Sequence, residues 1–171
     1  MSKLAGFVLV AAACSPYSIS SATQPRMAAF GAARAEVGTV CVIRSSTFAQ
    51  AVTFVVHDNS TLVGATKGDS YFCYEAGVGA HAIVSDTFDG ADHPGRATVA
   101  IEAGQRYWLQ QDHENNFGSV TSKLAWVDEN TARELISGAE YRVLTDTPGH
   151  ERVPEAVPFA PAADRVAGAT P

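Results

Sequence analysis

The chain has 171 residues, 46% of them hydrophobic, which is enough for one packed core of ordinary size and too little for two. Its 12 Lys and Arg stand against 18 Asp and Glu, a net charge of −6, with no basic run anywhere, so nucleic acid is excluded as an expected partner. Mild acidity of this kind keeps a small protein soluble without naming a ligand.

Residues 1–13 place one cation, Lys3, ahead of a mostly apolar run from Leu4 to Ala13, the pattern of an export signal peptide. A membrane-crossing helix needs about 20 apolar residues, so this run is too short to anchor the protein by itself. Ala11-Ala12-Ala13-Cys14 resembles the lipobox of bacterial lipoproteins, which implies that Cys14 carries lipid, becomes the first mature residue and makes a membrane the partner. The position three before that cysteine is most often Leu and here is Ala11. Cleavage after Ala13 also fits an Ala-x-Ala rule and would release a soluble, secreted protein; a start at Met27 would leave the chain in the cytosol. Residues 14–36, rich in Ser, Ala, Thr, Pro and Gln between Ser15 and Ala35, read as a flexible tether.

From 37 to 146 short β-branched and aromatic runs alternate with period two between Gly, Asp, Asn and Pro. This predicts a mainly all-β domain, an antiparallel β-sandwich of about seven to eight strands with one short C-terminal helix. The first strand, Thr39 to Arg44, is apolar on both sides and so central. Val52 to His57 follows, and Asp58-Asn59-Ser60 turns it into Leu62 to Ala65. Gly68-Asp69 leads into Ser70 to Glu75, and Gly77 to Gly79 into His81 to Ser85. The stretch from Asp86 to Gly95 is a polar loop; Ala97, Val99 and Ile101 alternate after it. Ala103-Gly104 turns the chain into Arg106 to Gln111, and Val120, Leu124 and Trp126 mark the last long strand. Asp128 can cap a helix whose Ala132, Leu135 and Ile136 form one apolar stripe, and Tyr141, Val143 and Leu144 add a final packed segment. Residues 147–171 are Pro- and Ala-rich and predict a disordered tail.

With Cys14 assigned to lipid, Cys41 and Cys73 remain as an even pair in predicted strands. A disulfide between them suits an oxidising compartment; the other reading is two buried thiols acting as small hydrophobes.

Over residues 37–146 the chain resembles an uncharacterised family found largely in bacterial envelope lipoproteins, catalogued as domain of unknown function 2846. The resemblance rests on Val40-Cys41-Val42-Ile43-Arg44-Ser45-Ser46, Val55-Val56-His57-Asp58-Asn59, Leu62-Val63-Gly64, Gly68-x-Ser70-Tyr71-Phe72, Gly79-x-His81 and Ala103-Gly104-x-x-Tyr107. Where such chains usually have Pro before the Gly of Gly-x-His, this one has Val78. The resemblance implies a fold type and an envelope location, and no catalytic site.

Motifs that carry chemistry fail on inspection. His113-Glu114 opens a zinc-protease pattern, but its fifth residue is Phe117; Gly64 to Gly68 lacks the Gly-Lys-Ser/Thr ending of a phosphate loop. No Gly-x-Ser-x-Gly or Cys-x-x-Cys occurs. The residue types that could ligate a metal, His57, Asp58, His81, Asp86, Asp89, Asp92, His93, Asp112 and His113, are scattered without ligand spacing. Tyr71, Tyr74, Tyr107 and Trp108 could line a glycan or peptide groove, although strand aromatics are more often core. Arg44, ending an apolar strand, is expected to pair with a carboxylate such as Glu75 or Asp69. No catalytic residue, metal ligand or cofactor is assigned. The expectation is a non-catalytic envelope module whose partner is an envelope protein or glycan; the alternative is a soluble exported metal-dependent or hydrolytic enzyme built on the scattered His and Asp.

Overall fold

The computed structural model describes residues 15–22, 34–47, 49–90, 93–116, 119–149 and 151–155. Within them the alternating runs form β1 (Ser18–Ser21), β2 (Gly38–Arg44), β3 (Thr53–Asp58), β4 (Thr61–Lys67), β5 (Ser70–Ala76), β6 (Gly79–Thr87), β7 (Gly95–Ile101), β8 (Arg106–Asn116), β9 (Ser119–Val127) and β10 (Glu140–Asp146), with helix α1 (Glu129–Ile136) before β10. One sheet has the order β1-β10-β5-β2-β8-β9 and the other β4-β3-β6-β7. This is the mainly β sandwich with one short helix that the alternation predicts. It holds more strands than the expected seven to eight, and two neighbouring pairs are parallel, β2 with β8 and β5 with β10. The cause lies in how the chain alternates between sheets. After β2 it builds β3 and β4 in the second sheet, returns as β5 beside β2, leaves again for β6 and β7, and comes back as β8 on the other flank of β2. The crossover that parallel neighbours require thus runs from β2 to β8 through both hairpins of the small sheet and β5, and from β5 to β10 through β6 to β9 and α1.

Strand β2 is buried at every residue because it sits mid-sheet with both faces covered. Val40 and Val42 pair with Tyr74 and Phe72 of β5 and face the small sheet, where Val56 joins the same cluster. The opposite face carries Cys41, Ile43, Tyr71, Cys73 and Trp108 and is covered by Ala132 and Ile136 of α1. Asp128 caps that helix as its sequence predicts, accepting from the amides of Asn130 and Thr131 at 2.9 and 3.1 Å. Between the sheets, Thr66, Ser85, Gln111 and Ser122 form a buried chain of hydrogen bonds. Thr66 donates to Gln111, Gln111 donates to Ser85, and the Ser122 and Ser85 hydroxyls lie 2.9 Å apart. Polar groups so deeply enclosed are tolerable because each has a partner, and the chain of bonds fixes how one sheet lies over the other.

Where β7 meets β9, the sandwich closes on itself. The Trp126 indole N–H donates to the Thr98 carbonyl at 2.9 Å, and Gly95 sits so close to Ser122 that a Cβ would fall 2.8 Å from its carbonyl oxygen. At the opposite margin Gly64 admits the Phe72 ring, which would lie 2.3 Å from a Cβ there.

Two expectations from the chain ends are corrected. Part of the proposed tether is β1, antiparallel to β10, because Tyr17 and Ile19 pack on a second small cluster of Val55, Leu62, Ala65 and Leu144. Val55 faces away from Val56, so this cluster lies on the outer face of the small sheet. The start of the proposed disordered tail is also bound: Glu151 hydrogen-bonds to Tyr17 and His57. Cys14 and the tail beyond residue 155 lie outside the described residues.

Candidate functional site

The β3–β4 hairpin turns on Asn59 and Ser60 with φ of 47° and 67°. Both lie in the left-handed region that a two-residue type I′ turn demands and that Asn tolerates. Asn59 then fastens the tip to β6: its Nδ2 donates to the Ala80 carbonyl at 3.2 Å, and its Oδ1 accepts from the Ala82 amide at 3.0 Å. This fastening brings Asp58 of β3, Tyr74 of β5 and His81 of β6 together at one end of the sandwich.

Asp58 is only 5% exposed. Its Oδ2 accepts from the Tyr74 hydroxyl at 3.0 Å and faces His81 Nδ1 at 2.6 Å, while His81 Nε2 faces the Gly77 carbonyl at 2.8 Å. A carboxylate and a carbonyl both only accept, so each ring nitrogen of His81 is turned to an acceptor. Burial, reinforced by the charge of Asp58 and the hydrogen bond to it, pushes the Tyr74 phenol far above its ordinary range, so its hydroxyl stays a donor. The cluster ties β3, β5 and the β5–β6 turn together and leaves neither imidazole nitrogen aimed at a reactant.

His57, one residue earlier, points to the other side of the sheet. Its Nε2 lies 3.1 Å from Glu151 Oε1, and Glu151 Oε2 accepts from the Tyr17 hydroxyl at 2.9 Å. Burial and Glu151 push that phenol up to about 12. Beside this bridge a groove of about 630 Å³ runs between β4, the end of β5 and residues 151–155, lined by Leu62, Val63, Tyr74 and Pro154. Arg34 and Glu75, which also line it, pair at 3.0 Å.

The other residues singled out in the sequence are dispersed. Asp86 accepts from the Thr87 amide, Asp112 and His113 pair locally at 3.3 Å, and Asp89 and His93 are exposed; Asp92 lies outside the described residues. Among the described residues no three His, Cys, Asp or Glu side chains converge to hold a metal ion. Tyr71 and Trp108 are buried, 1% and 4% exposed, and the Tyr107 hydroxyl donates to the Ala100 carbonyl; of the four aromatics, Tyr74 lines the groove. Arg44 does not take the expected form. It is 1% exposed, donates to the carbonyls of Ala49 and Val52 at 2.8 Å each and lies over the Phe54 ring, which holds the loop before β3; Glu75 is bound by Arg34 instead. Burial lowers its guanidinium to about 10.

Cys41 and Cys73 are directly opposite in β2 and β5 and are joined by a disulfide with S–S 1.98 Å. Glu151, the residue on which the outer site turns, has no local sequence signal: its partners Tyr17 and His57 lie 134 and 94 positions away. Compared with protein-family models, curated proteins and solved structures, the chain matches none.

Proposed function

We propose that this chain is a non-catalytic module of the bacterial cell envelope, anchored by lipid on Cys14, whose β-sandwich binds an envelope protein or glycan. The observation that carries the export half is the Cys41–Cys73 bond, because disulfides persist outside the reducing cytosol; it favours the signal-peptide reading over a start at Met27. The binding half draws support from the use made of the polar residues. Asp58, Tyr74 and His81 face one another and backbone, and the concave surface beside them is a groove with an apolar wall and a charged margin, the make-up of a recognition surface. The enzyme alternative would require His and Asp side chains to converge on a cleft, and the described ones pair off separately.

The anchor is tested by labelling cells with an alkyne fatty acid and fractionating wild type and Cys14→Ser. Label and membrane association in wild type, both lost in Cys14→Ser, are the expected result. Equal labelling of the two proteins refutes the anchor; an unlabelled chain in the medium would mean a secreted, soluble form.

A further inference from the structure

One long side of the sandwich is sealed by its own strands, β7 against β9. On the other, β4 ends the small sheet and packs against β5, β10 and β1, and residues 151–155, which belong to no strand, lie along the seam between β4 and β10. Pro154 and Glu155 lie there with Val63, Gly64 and Leu144. What holds this strap is concentrated in one residue. Glu151 takes the Tyr17 hydroxyl and His57 Nε2 on its carboxylate, and the Thr147 hydroxyl on its carbonyl. An acidic side chain and a proline three positions later thus fit a phenol, an imidazole and an apolar strip on a sheet margin, and the groove extends alongside.

We propose that this seam is a recognition site for an extended peptide carrying an acidic residue and, three positions on, a proline, and that residues 151–155 are a resident pseudo-ligand which such a peptide displaces. The proposal rests on the binding-module reading and names its partner. Residues 151–155 belong to no strand, and the bonds of Glu151 and the packing of Pro154 make recognition here a matter of side chains. A glycan is disfavoured because sugar rings stack on open aromatic faces, whereas Tyr74, which lines the groove, is 5% exposed. A phosphorylated or other polyanionic partner is disfavoured because Glu75, Glu151 and Glu155 line the groove against Arg34 and Arg152.

The probe is a fluorescent peptide of residues 147–155, Thr-Pro-Gly-His-Glu-Arg-Val-Pro-Glu, titrated by anisotropy against the folded mature protein. In wild type the strap competes; in Glu151→Ala its charge-assisted hydrogen bonds are gone, and the peptide is expected to bind about tenfold tighter or better. The same peptide with its first Glu replaced by Ala should lose that gain, and Val63→Arg added to Glu151→Ala should abolish binding. Glu151→Gln, which keeps the shape of the side chain, is read the same way should Glu151→Ala fail to fold. Equal affinity for wild type and the strap variants, or binding to none of them, overturns the proposal. Fatty-acid labelling of Cys14 would be unaffected by that outcome, so this proposal and the envelope reading fail separately.

Discussion

Reducing the Cys41–Cys73 bond should cost the fold a quarter or more of an ordinary domain's stability. The two cysteines are 32 positions apart, and the loop-closure entropy of that length corresponds to about 3.7 kcal/mol at 25 °C. Both cysteines are buried, 0% and 3% exposed, between strands that are paired along their whole length, so on reduction the sulfurs move apart to non-bonded distance but the thiols stay in the core. The loss on reduction therefore reports chiefly the tether. Urea unfolding of oxidised protein, reduced protein and Cys41→Ala/Cys73→Ala separates the contributions. With a slope of about 2 kcal/mol per molar urea, reduction should lower the midpoint by about 1.8 M. The double variant should fall further, by about 1 kcal/mol for each sulfur removed from the core. Should the reduced and oxidised midpoints coincide, the bond would be contributing nothing through the unfolded chain. The link drawn between this disulfide and life outside the cytosol would then lose its energetic basis.

Asp58→Ala removes the acceptor shared by Tyr74 and His81 and leaves a buried phenol unmatched; a loss of about 3 kcal/mol in urea unfolding is expected, with Asp58→Asn intermediate because its amide oxygen still accepts. An unchanged midpoint would mean that the cluster does not hold the hairpin end together. Burial pushes the Tyr71 and Tyr141 phenols up to about 12, so between the ordinary phenol value of about 10 and that value the folded chain keeps protons that the unfolded chain has released. The stability they contribute is complete below pH 10 and falls as pH rises toward 12. Unfolding midpoints across this range should decline in wild type and decline less in Tyr71→Phe; a flat profile in wild type contradicts the assignment.

Much of the fold is written locally. Phe54 and Val56, Phe72 and Tyr74, or Ala97, Val99 and Ile101 alternate over a few residues, and Asp58-Asn59-Ser60 announces its own turn. Which sheet a strand joins is not local. The parallel placement of β8 beside β2 depends on the excursion of β6 and β7 to the other sheet, and nothing in Arg106 to Gln111 encodes it. Strand β1 is less legible still. Ser18-Ile19-Ser20-Ser21 offers one apolar residue, and it is a strand because β10 presents a free edge and Tyr17 and Ile19 find apolar surface on β3 and β4.

The site was half legible for a related reason. His57, Asp58 and His81 are recognisable as residue types able to do chemistry, and Tyr74 as an aromatic of interest, yet grouping them by composition obscures what strand geometry dictates. Adjacent residues in β3 must face opposite ways, so Asp58 goes inward to Tyr74 and His81 while His57 goes outward to Glu151. One dipeptide thereby serves two sites with opposite demands. The inner one is enclosed and bound on three strands, and its work is to hold the hairpin tip in place. Because the tip is held, His57 and the β4 margin present a fixed surface, against which a segment secured chiefly by Glu151 can be exchanged for another of the same chemistry at small cost to the fold.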